Sequence, residues 1–527
     1  MPGSRNSKSS RRFKVPLAYA WGCLLLSAAA MAAAIAYFYW SGSTLYAGDA
    51  EAHLNIARRI IDSRTPGWSQ IGTTWLPLPH LLMIPLVRND WMWRTGLAGA
   101  IVSGVSMSFA AAFLFASMHR IFGSTAAAIA AVTVFLLNPN TLYLGAVPMT
   151  EPVFFSACFA LLYFTVRFRD TQGWGSAVGA GIAAFAGALT RYEGWFLIPF
   201  AAAYILIRGR RRRWPGVVVF CVISGAAPAL WLAHNRWYFG DPLYFYRGPY
   251  SALAIQGTSN YPGRGDWRMA AQYFFAAGQL VAGWPALVLG SAGVLVAVFV
   301  SVTQRKAFWP LIFLGLPPSF YVWSVHSSGI PIYVPTLWPH SWYNIRYAMA
   351  FLPLVALGVA ALVRLATPRF ERFTAIAVVA IALSPFAFHP KEHAVVWREA
   401  EVNSRARRQW ISEAAAFLRT SAGPHETFFT SFGELTAIYR TLGIPLHDTL
   451  TGDNDVEWTA AVARPDLFLQ TDWAVTTGGD TVQGVVNKAW LHGPRYELSR
   501  RFTVRGAPVI EIYRRVSIEA KNEDSLH

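Results

Sequence analysis

The sequence predicts a polytopic α-helical membrane protein that carries a small C-terminal α/β domain outside the membrane. Three observations predict it. The 527 residues are 54% hydrophobic, 15% aromatic and only 14% charged, whereas a soluble domain carries roughly a quarter charged residues. Too few polar side chains remain to coat a water-facing surface. Runs without any Asp, Glu, Lys or Arg recur through residues 15–389. The charge is also unevenly divided: residues 390–527 hold 16 Lys+Arg and 18 Asp+Glu, against 29 and 10 in the first 389 residues. An ordinary soluble enzyme and a disordered chain are both excluded. Cys23, Cys158 and Cys221 fall inside apolar runs and supply neither a disulfide framework nor a zinc cluster.

The charge-free runs lie at about residues 15–40, 95–118, 121–147, 152–166, 171–190, 194–207, 214–235, 269–304, 307–325, 347–363 and 373–388. Since about 20 residues cross the hydrocarbon, these read as about 11 transmembrane helices, with 194–207 short enough to be partly interfacial. The first run follows a basic stretch. It is long and lacks a small-residue cleavage site before Ser41, so it reads as a signal anchor.

A cytoplasmic N-terminus places 18 of the 29 basic residues of this portion in short inner segments, among them the Arg210 to Arg213 run. That satisfies the positive-inside rule. The run reads as a topology determinant with anionic lipid as a secondary contact, and the formal charge of +17 requires no nucleic-acid partner. The expected organisation is a cytoplasmic basic tail at 1–14, a transmembrane domain at 15–389 with outer loops 41–94, 236–268 and 326–346, and an extracytoplasmic α/β domain at 390–527. The protein is then integral to the cell membrane.

The acids carry more information. This topology puts Asp49, Glu51, Asp62, Asp90, Glu151, Glu193, Asp241 and Asp266 outside and only Asp170 and Glu371 inside. The positive-inside rule concerns Lys and Arg, so it does not produce this bias, and the outer face looks built around carboxylates. After Gly48 the pattern becomes helical and amphipathic, with Leu54, Ile56, Ile60 and Ile61 apolar, and Thr65-Pro66-Gly67 stops it. It reads as an interfacial helix lying on the membrane. Asp49 sits at its entry and His53 follows at i+4, so the two share a face on which a metal ion or a substrate hydroxyl can be held. The alternative is that Asp49 caps the helix.

An acidic residue just after the first transmembrane helix, leading into a juxtamembrane helix, resembles the first outer loop of the GT-C superfamily of membrane glycosyltransferases. The superfamily includes protein O-mannosyltransferases, the aminoarabinose transferase of lipid A and the oligosaccharyltransferases. PMTEPVFF at 148–155, LTRYEGW at 189–195, HNRWYFGDPLYF at 234–245 and NIRYAMAFLPLVALG at 344–358 are similar to the same group in order and spacing. The resemblance, best to a family-39-like bacterial branch, implies transfer of a sugar from a polyprenyl-phosphate carrier to an acceptor hydroxyl with inversion. The acceptor is a glycan, a lipid or a protein.

It further implies that Asp49 is the general base, with Glu51 a second acid separated from it by Ala50, and that Arg346 followed by Tyr347 contacts the donor phosphate. Arg346 read alone is equally an arginine snorkelling to the interface. Arg191 and Glu193, in the short turn between the fifth and sixth helices, are a second donor contact or an exposed turn. Glu151 follows Thr150 and precedes Pro152, a good helix start with Thr as cap. By resemblance it is an acid near the sugar or a metal. Asp241 in FGDP reads first as a turn former and otherwise, with His53, Glu151 and Glu193, as a residue near the sugar, the acceptor or a metal. A divalent cation is the one cofactor this reading admits, with Asp49 and His53 as candidate ligands. His80, His234, His326 and His340 show no ligand spacing. The outer tryptophans read as an interfacial belt.

Residues 390–527 alternate helical and strand patterns: RRQWISEAAAFLRT helical, TFFTSF a strand, ELTAIYRTLG a helix closed by Gly443, LFLQTDWAVTT one or two strands, TVQGVVNKAWL a helix and VIEIYRR a final strand. No phosphate-binding glycine motif or nucleophile elbow occurs. An acceptor-binding or lid role and a purely structural one are both compatible with it. A lipid or glycan transporter or flippase is the competing class, but such proteins place ionisable groups near the bilayer midplane, and every span here is free of them. A non-catalytic envelope-assembly protein is the third class.

Overall fold

The structure is a computed structural model that describes residues 15–210, 213–256, 259–303, 308–431, 433–492 and 494–516. The basic tail at 1–14 and the topology residues Arg211, Arg212, Arg305 and Lys306 lie outside the described residues. Packing groups the chain into two units, each assembled from separated stretches. One comprises the described parts of Met1–Ala34, Ser103–Gly145 and Thr150–Trp397, and the other those of Ile35–Val102, Ala146–Met149 and Arg398–His527.

The first unit is helical. Its apolar runs become the helices Leu97–Phe122, Glu151–Thr171, Trp174–Ala188, Tyr192–Arg208, Arg213–Phe239, Trp284–Thr303, Trp309–Ser327, Leu352–Leu365 and Glu371–Phe388, with Leu17–Trp40 leading in. Among the described residues, seven helical segments are long and apolar enough to cross a membrane by length and composition. Eleven were expected. Thr125–Leu136 and Trp174–Ala188 are apolar but shorter.

Two of the expected runs are broken, each for a local reason. Residues 121–147 divide at Asn138, which accepts from the Asn140 N–H at 2.9 Å as Pro139 opens the short helix Pro139–Leu144. Residues 269–304 divide at Gly283, whose φ of +74° suits a residue without Cβ. The upstream piece, Trp267–Ala282, is amphipathic rather than uniformly apolar. Asp266 caps it by accepting from the N–H groups of Arg268 and Met269 at 2.9 and 3.0 Å. Downstream, Trp284–Thr303 packs backbone to backbone on Leu352–Leu365, because at Gly290, Gly293 and Gly358 any Cβ would collide with the facing chain.

Charged residues gather at the two ends of these helices. At one end Arg120 and Arg169 hold Asp170 at 2.9 and 2.8 Å, and Arg364 stands 3.9 Å from Glu371. Glu151 begins the helix that carries Asp170 near its last turn, which puts them about 30 Å apart at 1.5 Å per residue.

The second unit holds a five-stranded mixed sheet, β1 Phe428–Thr430, β2 Thr449–Leu450, β3 Trp473–Thr477, β4 Arg495–Phe502 and β5 Ile510–Val516, in the order β2-β1-β3-β5-β4. β1 pairs in parallel with β2 and β3, while β5 runs antiparallel to β3 and β4. Alternation sorts the side chains into two layers. Phe428, Trp473 and Val475 pack with Trp410, Ala414 and Leu418 of helix Val395–Ser421. Phe429 and Ala474 pack with Val482, Val485 and Val486 of helix Thr481–His492. The expected α/β pattern is present, with differences: Leu467 and Phe468, expected to open a strand, end the short helix Pro465–Phe468, and β2 and β4 were not foreseen.

The amphipathic segment after Gly48 is the helix Gly48–Arg59. It is not a helix resting on a surface, because Glu51, His53, Asn55, Arg58 and Arg59 are buried along with Ala50, Leu54, Ile56 and Ala57.

Candidate active site

In the first unit, seven side chains from four elements converge at one end of the helices. Pro152 suits the first turn of Glu151–Thr171 because it has no N–H to lose there. Thr150 holds the cap position without making the cap bond expected of it. Its hydroxyl instead accepts from Arg191 Nη1 at 2.7 Å. Arg191 also donates from Nε to Glu193 Oε1 at 2.8 Å and from Nη2 to the Tyr321 hydroxyl at 2.7 Å, and its Nη1 faces Glu151 Oε1 at 3.2 Å. The Tyr321 hydroxyl in turn donates to Glu193 Oε1. Arg191 and Glu193 are therefore not an exposed turn: their side chains are 15% and 5% exposed.

Arg346 reaches this cluster from the 3-10 helix Ile345–Phe351, with its Nε 3.3 Å from Glu151 Oε1. The loop before it is fixed by mutual backbone bonds between Tyr333 and Tyr343 at 2.9 and 3.1 Å and by Asn344, which donates from its side chain to the Pro331 carbonyl at 3.0 Å. Asn344 adopts φ +57°, a left-handed conformation that Asn tolerates better than most residues. Tyr347 stacks on Tyr321 at 4.9 Å, and the guanidinium carbons of Arg191 and Arg346 stand 5.4 and 5.1 Å from its ring centroid. Aromatic faces attract cations at this range.

Two guanidinium groups and two carboxylates share the cluster, and burial of such charges is tolerable only when they are paired. The pairing is unequal. Glu193 receives close hydrogen bonds, whereas neither oxygen of Glu151 receives an aligned one, although the residue is 4% exposed. Asp241 has local partners: it accepts from the Leu243 N–H at 2.9 Å and faces Arg247 at 3.7 Å, as a turn former does.

The second unit carries the acids of the first outer segment. Asp49 is not the cap of its helix. That position is Ala47, which makes no side-chain cap bond, and Asp49 lies in the first turn, where the helix dipole favours a carboxylate. Glu51 is 5% exposed and accepts from Asn55 Nδ2 at 3.1 Å and from Arg440 Nε at 2.6 Å. Asn55 Oδ1 accepts from the Trp93 indole N–H at 3.0 Å. His53 is turned towards His80, Nδ1 to Nε2 at 3.0 Å, with its ring 4.7 Å from that of Trp75. Burial, reinforced by His53 and Arg59, holds the His80 imidazole well below its usual range, so it is neutral at ordinary pH. Among the described residues, no three His, Cys, Asp or Glu side chains gather as a metal site.

Sequence reasoning did not anticipate Tyr321, Asn55 or Arg440, and it named His80 without foreseeing its contact with His53. Tyr321 lies in a charge-free run, and Arg440 is 389 residues from Glu51.

Comparison with known proteins follows these positions. A family model described as dolichyl-phosphate-mannose-protein mannosyltransferase matches residues 92–234. The match spans Glu151, Arg191 and Glu193, while Asp49 precedes it and Arg346 follows it. Among solved structures, ArnT from Cupriavidus metallidurans in the apo state aligns with a TM-score of 0.56 at 13% identity, over 94% of this chain and 98% of that one. The Archaeoglobus fulgidus oligosaccharyltransferase in the apo form gives a TM-score of 0.48 at 12% identity, over 87% of this chain and 69% of that one. Comparison with curated protein sequences finds no match. The chain has an ArnT-like fold, and the matches agree with the GT-C resemblance read from its sequence.

Proposed function

We propose that the protein is an integral membrane glycosyltransferase that moves a sugar from a polyprenyl-phosphate carrier to an acceptor hydroxyl, with inversion at the anomeric carbon. One observation carries this reading: the part-buried Arg191–Arg346–Tyr347 group, within a fold like that of ArnT and partly within the stretch matched by the mannosyltransferase family model. The leaving group of such a reaction is a phosphate that gains negative charge. Arg346, carried by a loop with its own backbone bonds and standing 3.3 Å from a carboxylate that receives no aligned hydrogen bond, suits its oxygens through the guanidinium fork. Tyr347 orients both guanidinium groups. Glu151 is the anion that the donor phosphate displaces from Arg346, since its ion pairs at 3.2 and 3.3 Å lack aligned hydrogen bonds.

The acceptor hydroxyl must lose a proton as it attacks. Asp49 is the base in this proposal, held in a first helical turn with its side chain half-buried. General-base assistance is worth roughly 10²–10⁴ in rate, or about 3–5 kcal/mol. Glu51, tied to Arg440 and Asn55, supports the helix rather than the proton transfer. A divalent cation on Asp49 and His53 lacks a third ligand among the described residues, and no step here uses one. The proposal places the N-terminus in the cytoplasm and the C-terminal domain, with the chemistry, on the opposite side. The first unit's ionisable residues lie at helix ends rather than mid-span, which favours surface chemistry over a carrier.

The test is an assay of purified protein with a panel of radiolabelled polyprenyl-phosphate sugars and candidate acceptors, with and without EDTA. Transfer from at least one carrier-linked sugar supports the reading. Transfer only from nucleotide sugars overturns it.

A further inference from the structure

In the second unit, side chains from the C-terminal stretch bind the segment 45–70 along its whole length. Arg407 Nη2 donates to the Tyr46 carbonyl at 2.6 Å and to the Leu45 carbonyl at 3.4 Å. Its Nη1 lies 2.8 Å from where a Cβ on Gly48 would stand, so a side chain there would push the guanidinium aside. Arg440 Nε donates to Glu51 at 2.6 Å, and its Nη1 donates to the Arg94 carbonyl, while Arg94 Nη2 donates to the Thr441 carbonyl at 2.9 Å. His447 Nδ1 lies 2.6 Å from Asp62 Oδ1. Asp453 takes Arg59 Nη1 at 2.6 Å, its carbonyl takes Gln70 Nε2 at 2.8 Å, and Glu457 takes Arg64 at 2.5 Å.

Helix Gly48–Arg59 has 12 residues and no side-chain cap at its start. Isolated helices of such length are marginal in water, so its geometry depends on outside contacts. We infer that the C-terminal domain is a clasp for this helix, and that Arg407 and Arg440 are positioning residues for Asp49, which lies between their anchor points at Tyr46 and Glu51. Both partners are largely desolvated: the side chains of Arg407, Arg440 and Glu51 are 8%, 13% and 6% exposed. A charged hydrogen bond in such a setting is strong and directional. Because a misplacement of about 1 Å in a catalytic group can cost 10²-fold in rate, the clasp acts on turnover rather than on donor affinity. That kinetic half rests on Asp49 being the base, while the structural half does not.

The experiment compares wild type with Arg407→Gln, Arg440→Gln, Arg440→Lys, the exchanged pair Glu51→Arg/Arg440→Glu, Asp49→Asn, and Arg464→Ala as a control, since Arg464 pairs locally with Asp466. Hydrogen exchange of peptides covering 45–62 and steady-state transfer kinetics are measured on the same detergent-solubilised full-length samples. The expected result is exchange over 48–59 at least roughly tenfold faster in both Gln variants, with kcat lowered at least roughly tenfold and donor KM within about twofold of wild type. Arg440→Lys and the exchanged pair recover part of the protection and of kcat, and the control matches wild type. Unchanged exchange over 48–59 in both Gln variants overturns the clasp, and a loss expressed only in donor KM overturns the positioning role of Arg407 and Arg440. Faster exchange together with full activity of Asp49→Asn supports the clasp and removes the base assignment.

Discussion

Arg191→Gln separates what holds the buried cluster together from what binds the donor. In the wild type, Arg191 gives Glu193 a 2.8 Å hydrogen bond, faces Glu151 at 3.2 Å, and bonds Thr150 and Tyr321 at 2.7 Å each. Glutamine keeps some hydrogen bonding but removes the charge, leaving two carboxylates that are each 4% exposed with Arg346 as the remaining cation. Breaking one side of a buried ion pair costs about 3–5 kcal/mol because the stranded charge stays desolvated. That is a large share of a total stability of about 5–15 kcal/mol. The side chain of Arg191 is only 15% exposed, so water does little to screen the loss. Unfolding by graded denaturant in mixed micelles, followed by tryptophan fluorescence, reads the difference. The double variant Arg191→Gln/Glu193→Gln removes the stranded charge and should recover about half of the loss. A single-variant loss under about 1 kcal/mol, or a double variant as unstable as the sum of the two singles, would refute the paired-cluster reasoning.

Three further outcomes follow from the same geometry. Arg346→Gln should weaken donor binding by about 10–100-fold, the value of a charged hydrogen bond of roughly 1.5–3 kcal/mol, with a smaller stability loss than Arg191→Gln, as measured by titration with a carrier-phosphate lipid. Burial pushes the Asp62 carboxyl up, but hydrogen bonds from Arg58, His447 and the Leu446 N–H outweigh it and bring the group below its ordinary value. A depressed folded-state pKa means stabilisation that is present above the unfolded value and lost as pH falls through the folded one. Protection of the segment around Asp62 should therefore decline below about pH 4, and Asp62→Asn should abolish that dependence in hydrogen exchange. Gly358→Leu should destabilise the first unit by about 1–3 kcal/mol or more through overpacking against Gly290, seen as a lower unfolding midpoint.

Much of the fold was legible because hydrophobic runs are local. A run of apolar residues declares a helix wherever its neighbours lie, and the starts of Glu151–Thr171 and Arg213–Phe239 fall within one residue of the expected ones, although both helices continue past the charge-free run. The breaks at Asn138 and Gly283 were not legible from charge-free length alone, since a single glycine inside an apolar run can equally pack a helix face, as Gly290 and Gly293 do. β4 escaped notice because RYELSRRF is mostly exposed and lacks the alternation of a half-buried strand.

The residues of the candidate site were partly legible through motif resemblance, but their contacts were not. Arg191 and Tyr321 are 130 residues apart, and Tyr321 carries no charge to mark it. Glu51 looked like a second catalytic acid until Arg440, remote in sequence, supplied its partner. The capping readings of Thr150 and Asp49 failed for the same reason: a local rule offered a partner, and tertiary structure supplied another for Thr150 and moved the cap to Ala47 for Asp49.

The most direct test of the account compares wild type and Asp49→Asn in transfer from a carrier-phosphate sugar, with donor binding measured on the same samples. Donor affinity should be unchanged and kcat lowered by roughly 10²–10⁴ in the Asn variant. Wild-type turnover by that variant would contradict the assignment of Asp49 as the base.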